Sequence, residues 1–217
     1  MSATLPATRR TALWIAASFA LLFLVTGGGR IVGSDEVTMA ELSRALLHGG
    51  IVVPEGATLA GPGGRYYSKN TAGQAVLALP WTLAGEGVAR FAPLAPAKKP
   101  LAARAVVSTF NAFVTAILIG VFYLAARGLG AGAGAAMGAT LMLGLATPLW
   151  VYSKSFMAEP LEALGLLLAL WGSARGASAD PERRDRAGEK LAALGVFLAV
   201  SAKLSQFPLA LACLVPL

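Results

Sequence analysis

The stretch AVVSTFNAFVTAILIGVFYLAA, residues 105–126, decides how this chain must be read. It carries no charge and is closed on its two sides by Arg104 and Arg127. A helix needs roughly 20 consecutive apolar residues to cross the hydrocarbon of a bilayer, and this stretch supplies them. Toward the amino terminus, residues 11–29 form another uncharged run behind Arg9 and Arg10. A basic pair before an apolar run resembles a signal peptide, but no small-residue cleavage site precedes the next charged segment, so a retained helix is expected. Toward the carboxyl terminus, residues 128–153 are uncharged up to Lys154, and residues 155–174 are interrupted by Glu159 and Glu162. Residues 191–217 hold Lys203 as their only charge, and Pro208.

Composition agrees with these runs. Apolar residues make up 56% of the 217 and charged residues 13%, with a mean hydropathy of +0.67. A water-soluble domain carries about 25% charged residues, and a chain this apolar cannot cover its surface with polar groups. The expected fold class is all-α, a polytopic transmembrane helical bundle of about five to six spans. The expected spans are 11–29, 105–126, 130–152, 156–174 and 189–206, with a further one starting at 207–217. They form a single transmembrane domain over 1–217, with a long outer loop, 30–104, containing interfacial helices. The last run ends without a polar tail, so the sequence is expected to be the amino-terminal part of a longer module.

The formal charge is +7. The basic residues lie between apolar segments rather than on one face, which argues against nucleic acid and for anionic lipid head groups or lipid phosphates. Cys213 is the only cysteine, so no internal disulfide or multi-cysteine metal site can form. Basic residues concentrate in cytoplasmic loops. Arg9 and Arg10 therefore place the amino terminus in the cytoplasm, and the segment 175–190, with basic residues at 175, 183, 184, 186 and 190, is expected on the same side. That leaves 30–104 outside. Gly130, Gly134 and Gly138 are spaced by four, a pattern that lets helices approach closely. The looser Gly130, Gly132, Ala135 match to a nucleotide-binding loop lacks the preceding strand.

The chemistry-bearing residues fall in the outer loop and at the outer ends of the runs. Ser34-Asp35-Glu36 opens a helical stretch over 37–47 that Gly49-Gly50 should cap in the left-handed conformation. Acidic residues in a first turn are favoured by the positive end of the helix dipole, which is one reading of Asp35 and Glu36. A catalytic carboxylate beside the membrane surface is the other. Gly64-Arg65-Tyr66-Tyr67-Ser68-Lys69-Asn70 puts two cations and two tyrosines together. These suit either an interfacial anchor belt or a phosphate and a sugar face. Residues 75–91 read as an interfacial or re-entrant helix. Glu159 and Lys203, ionisable groups within apolar runs, should face a cavity or a partner. His48, at the end of the loop helix, reads as a solvated cap, and one histidine with scattered carboxylates makes no zinc site.

Taken together, Ser34-Asp35-Glu36 through Glu41, Ser43-Arg44, Val53-Pro54 and Arg65-Tyr66-Tyr67-Ser68-Lys69 resemble the first periplasmic loop of the GT-C membrane glycosyltransferases. The family 39-like branch, with the lipid A aminoarabinose transferase and the protein O-mannosyltransferases, is the nearest. Glu159-Pro160 and Lys203 resemble the family as well. The resemblance implies a bacterial inner-membrane enzyme that transfers a sugar from a polyprenyl-phosphate donor, with inversion, to a lipid, protein or glycan acceptor at the periplasmic face. It implies Asp35 as catalytic base with Glu36 beside it, and Arg65, Tyr66, Lys69, Glu159 and Lys203 as substrate-binding residues. It implies no metal and no cofactor. Three departures leave donor and acceptor open: Ser34 and Asn70 stand where the family often has proline, and Glu159 where aspartate is commoner. A transporter or lipid flippase would use the same ingredients, as would a non-catalytic membrane scaffold.

Overall fold

The computed structural model describes residues 4–55, 58–177 and 185–215, and 74% of it is helical. Basic residues 183 and 184 and the last two residues of the final run lie outside the described residues. Helix α1 (Thr4–Thr26) lies antiparallel to α6 (Phe110–Gly128). The approach is close where Gly120 faces α1: a Cβ there would stand 3.1 Å from both the Ala12 carbonyl oxygen and the Ala16 methyl. Phe19, Phe23, Ala112, Ala116 and Ile119 are buried in this contact.

Between α1 and α6 the chain builds a cap over one end of the bundle. Helix α2 (Ser34–Leu47) comes first, and Gly49, at φ +76°, ends it in the left-handed region, as the Gly-Gly pair predicts. A short antiparallel ladder follows, β1 (Leu59–Ala60) with β2 (Tyr66–Tyr67). The helix expected over 75–91 forms as two pieces, α3 (Gly73–Leu77) and α4 (Leu79–Phe91), meeting at Ala78 ahead of Pro80. Helix α5 (Lys99–Ser108) then runs into α6 with a break at Thr109. Beyond α6, α7 (Ala133–Leu145) and α8 (Leu149–Tyr152) return the chain to the capped end. There Phe156 packs edge-on against Phe110 with ring centroids 5.8 Å apart. Helix α9 (Glu159–Gly176) leads away along α6, α10 (Arg186–Ala202) comes back along α9, and α11 (Phe207–Ala212) follows.

The span count of the sequence reading is overturned. Among the described residues two helices are long and apolar enough to cross a membrane, Pro6–Thr26 and Pro96–Gly128. An uncharged run is not a continuous helix. Residues 130–152 break at Ala146-Thr147-Pro148, leaving α7 with 13 residues, about 20 Å of helix against a hydrocarbon core of about 30 Å. The 18 residues of α9 carry Glu159, Glu162 and Arg175. The 17 residues of α10 open on Arg186, Glu189 and Lys190, and the helix stops at Lys203. The all-α class stands, with the two-residue ladder and a Val52–Tyr67 bridge beside it as small departures.

The glycines that pack helices also differ from those the spacing singles out. Gly134 and Gly138 have open space where a Cβ would be, and Gly130, at φ +95°, closes α6 in the left-handed region. The close approach is between α9 and α10 instead. A Cβ on Gly165 would lie 2.5 Å from the Ala199 amide nitrogen, and one on Gly188 would lie 2.7 Å from the Gly176 amide nitrogen. Gly172 and Gly195 face equally close backbone. Backbones this near exclude any side chain, which is why small residues line this seam.

Candidate functional site

Four polar residues predicted from separate stretches of sequence meet at the capped end. Asp35 stands in the first turn of α2, Lys69 follows the β ladder, Glu159 opens α9, and Lys203 closes α10. All four line one cavity of about 290 Å3. Its wall is completed by Met39, Asn70, Thr71, Met157 and neighbouring residues of 202–205.

Each is delivered by a local device. Lys69 sits in a turn in which the Asn70 amide donates to Ser68 Oγ at 3.1 Å. Asn70 Nδ2 in turn donates to the Asp35 carbonyl at 3.4 Å, which ties this turn to the start of α2. Asn70 thus has a contact that a proline at its position could not make. Lys69 Nζ reaches Asp35 Oδ1 at 2.7 Å, and both side chains are about two-fifths exposed. Thr71 donates to the Ala202 carbonyl, and Gln74, fully buried, donates to the Phe156 carbonyl at 2.8 Å. These contacts hold the loop on the ends of α9 and α10.

Lys203 lies between two carboxylates, 3.7 Å from Glu159 Oε1 and 3.4 Å from Glu162 Oε1. Glu162 is the residue the sequence reading passed over as a mere interruption. It stands three positions after Glu159, so the two share a face of α9, and that spacing was the available signal. Gln206 Nε2 donates to Glu162 Oε2 at 2.9 Å. Glu159 Oε2 is buried with no hydrogen-bond partner among the described residues.

Glu36 has a different role from its neighbour. It is 5% exposed, and its Oε2 accepts from the amides of Gly33 at 2.7 Å and Val32 at 3.2 Å. Its Oε1 accepts from the Phe156 amide at 2.6 Å. Both oxygens are therefore spent on backbone N–H groups, one pair at its own helix start and one far along the chain. Such charge-assisted bonds are among the stronger ones, and here they fix where α2 begins and so where Asp35 points. A Cβ on Gly33 would stand 2.9 Å from Glu36 Oε2, so the glycine leaves room for the carboxylate.

Arg65 and Tyr66 are not brought to this cavity. Arg65 is exposed beyond Gly63 and Gly64, both at positive φ. The Tyr66 hydroxyl donates to Glu55 Oε1 at 2.9 Å, and its backbone pairs with Ala60. Among the described residues no group of three or more histidine, cysteine, aspartate or glutamate side chains is placed to hold a metal ion.

The cavity therefore sets two carboxylates beside two ammonium groups, Asp35 against Lys69 and Glu159 against Lys203. The chain matches no family model, no curated protein and no solved structure.

Proposed function

We propose that this chain is a GT-C-like membrane glycosyltransferase, of the kind its outer loop resembles, and that the Asp35 cavity receives the sugar-phosphate head of a polyprenyl-linked donor. The observation that carries the reading is the convergence of Asp35, Lys69, Glu159 and Lys203 on one 290 Å3 space from four distant stretches. That volume lies at the small end for ligand sites. It suits a single sugar phosphate with the prenyl chain left outside. The membrane placement draws on the two helices long enough to cross, with Arg9 and Arg10 on the cytoplasmic side of an inner membrane and the capped end facing out.

In this mechanism Asp35 takes the proton of the acceptor hydroxyl as that oxygen attacks the anomeric carbon. The bond from the anomeric carbon to the phosphate oxygen breaks, and its electron pair leaves with the polyprenyl phosphate. Lys69 and Lys203 stabilise the charge gathering on that phosphate. A single displacement inverts the anomeric centre. The leaving group is already a stable anion, so no strong acid is required of the protein. Glu36 holds the helix that carries Asp35 and touches neither substrate. The acceptor is a lipid, protein or glycan hydroxyl.

The test is sugar transfer in membranes carrying the chain, wild type or Asp35→Asn, with radiolabelled polyprenyl-phosphate sugars supplied as donors. Label should pass to an acceptor with the wild type and not with the variant. Failure of both forms to bind or consume any donor would refute the reading and favour transport or a scaffolding role.

A further inference from the structure

On the other side of α2 lies a larger groove, about 760 Å3, walled by α2, α4 and α5. We infer that it is a binding site for the head group of an anionic phospholipid. The inference stands apart from the transferase reading, because none of the groove's lining residues belongs to the Asp35 cavity.

Its charge is unbalanced. Arg44, Arg90, Lys99 and Arg104 line it against Glu41 and Glu86. The carboxylates do not neutralise all four cations: Glu41 holds Arg104 at 2.9 Å, and Glu86 faces Arg44 at 3.3 Å and His48 at 2.9 Å. None of the described ion pairs involves Arg90 or Lys99, and the Arg90 guanidinium lies over the Phe91 ring at 5.6 Å. Two cations outside the described ion pairs, beside guanidinium groups held by Glu41 and Glu86, suit a phosphodiester, which takes donors from several sides.

The apolar half of the site argues for a lipid rather than a soluble phosphate. Leu83 is 61% exposed and Phe91 81% exposed, both on α4 and both at the groove. Leu101, on α5, is also exposed. Helix α5 continues into the apolar segment ending at Gly128, so the groove opens where that segment would leave the hydrocarbon. Cations beside an apolar rim at that depth match an anionic head group with acyl chains below it.

Retention of radiolabelled phosphatidylglycerol by the purified, immobilised chain in neutral detergent tests this. Unlabelled phosphatidylglycerol, phosphatidylcholine and inorganic phosphate serve as competitors. A basic residue near an anionic lipid surface contributes about fivefold in affinity, so Arg90→Gln with Lys99→Gln should weaken retention about thirtyfold. Each single variant should weaken it about fivefold, which keeps the test readable should the double variant misfold. Phosphatidylcholine should compete poorly, and millimolar inorganic phosphate should not compete. Equal retention of the two lipids, unchanged affinity in the single variants, or displacement by inorganic phosphate alone would each overturn the assignment.

Discussion

Replacing Asp35 by asparagine should end sugar transfer while tightening the grip on the donor. Lys69 Nζ is committed to Asp35 Oδ1 at 2.7 Å before any ligand arrives. A donor phosphate must therefore compete with that carboxylate for the ammonium group. With both side chains about two-fifths exposed, the pair is worth about 1 kcal/mol at most. A neutral amide in place of the carboxylate would make no such claim on Lys69, so donor affinity should rise by up to about fivefold. The fold should hardly notice, with Tm changing by less than about 4 °C for a chain of this size. Lys69→Ala is the opposing control. It removes a charged hydrogen-bond donor to the phosphate, worth about 1.5–3 kcal/mol, and donor affinity should fall at least tenfold. Equilibrium binding of a radiolabelled polyprenyl-phosphate sugar to each purified variant, set beside its transfer rate, gives both quantities. Weaker donor binding by the Asp35→Asn protein, or transfer at the wild-type rate, would refute the argument.

Glu36→Ala should instead be a stability mutation: it leaves the buried Phe156 amide and the Gly33 amide without their acceptor, at a cost of about 3 kcal/mol or more. Thermal unfolding should show a Tm lower by about 10 °C, and a protein as stable as wild type would remove Glu36 from this anchoring role. Gly195→Val should force α9 and α10 apart, since a Cβ at Gly195 already stands 2.5 Å from the Gly165 carbonyl oxygen. A loss of at least about 3 kcal/mol is expected, whereas Gly134→Ala, with open space around it, should be neutral or gain up to about 1 kcal/mol from helix propensity; the same denaturation measurement compares the two, and equal effects would contradict the packing.

The amino-acid sequence by itself determined the all-helical class, the apolar character of the two longest helices and the left-handed end of α2 at Gly49. Each of these depends on residues within a turn or two of one another, or on hydropathy summed over one run. It also nominated Glu159 and Lys203, as charges within apolar runs, and Asp35 and Lys69, through short loop motifs and the resemblance they carry. Only the tertiary structure decided what those charges do. That Asp35 faces Lys69 while Glu36, one residue on, turns inward to the Phe156 amide follows from the helical advance of about 100° per residue, together with a chain segment more than a hundred positions away. That α9 and α10 pack through Gly165, Gly172, Gly188 and Gly195, while Gly134 and Gly138 meet nothing, depends on which helices become neighbours. The number of membrane-length helices was settled the same way. Hydropathy sums over a stretch whether or not its helix is continuous, whereas α7 ends ahead of Thr147-Pro148 and α10 ends at Ala202.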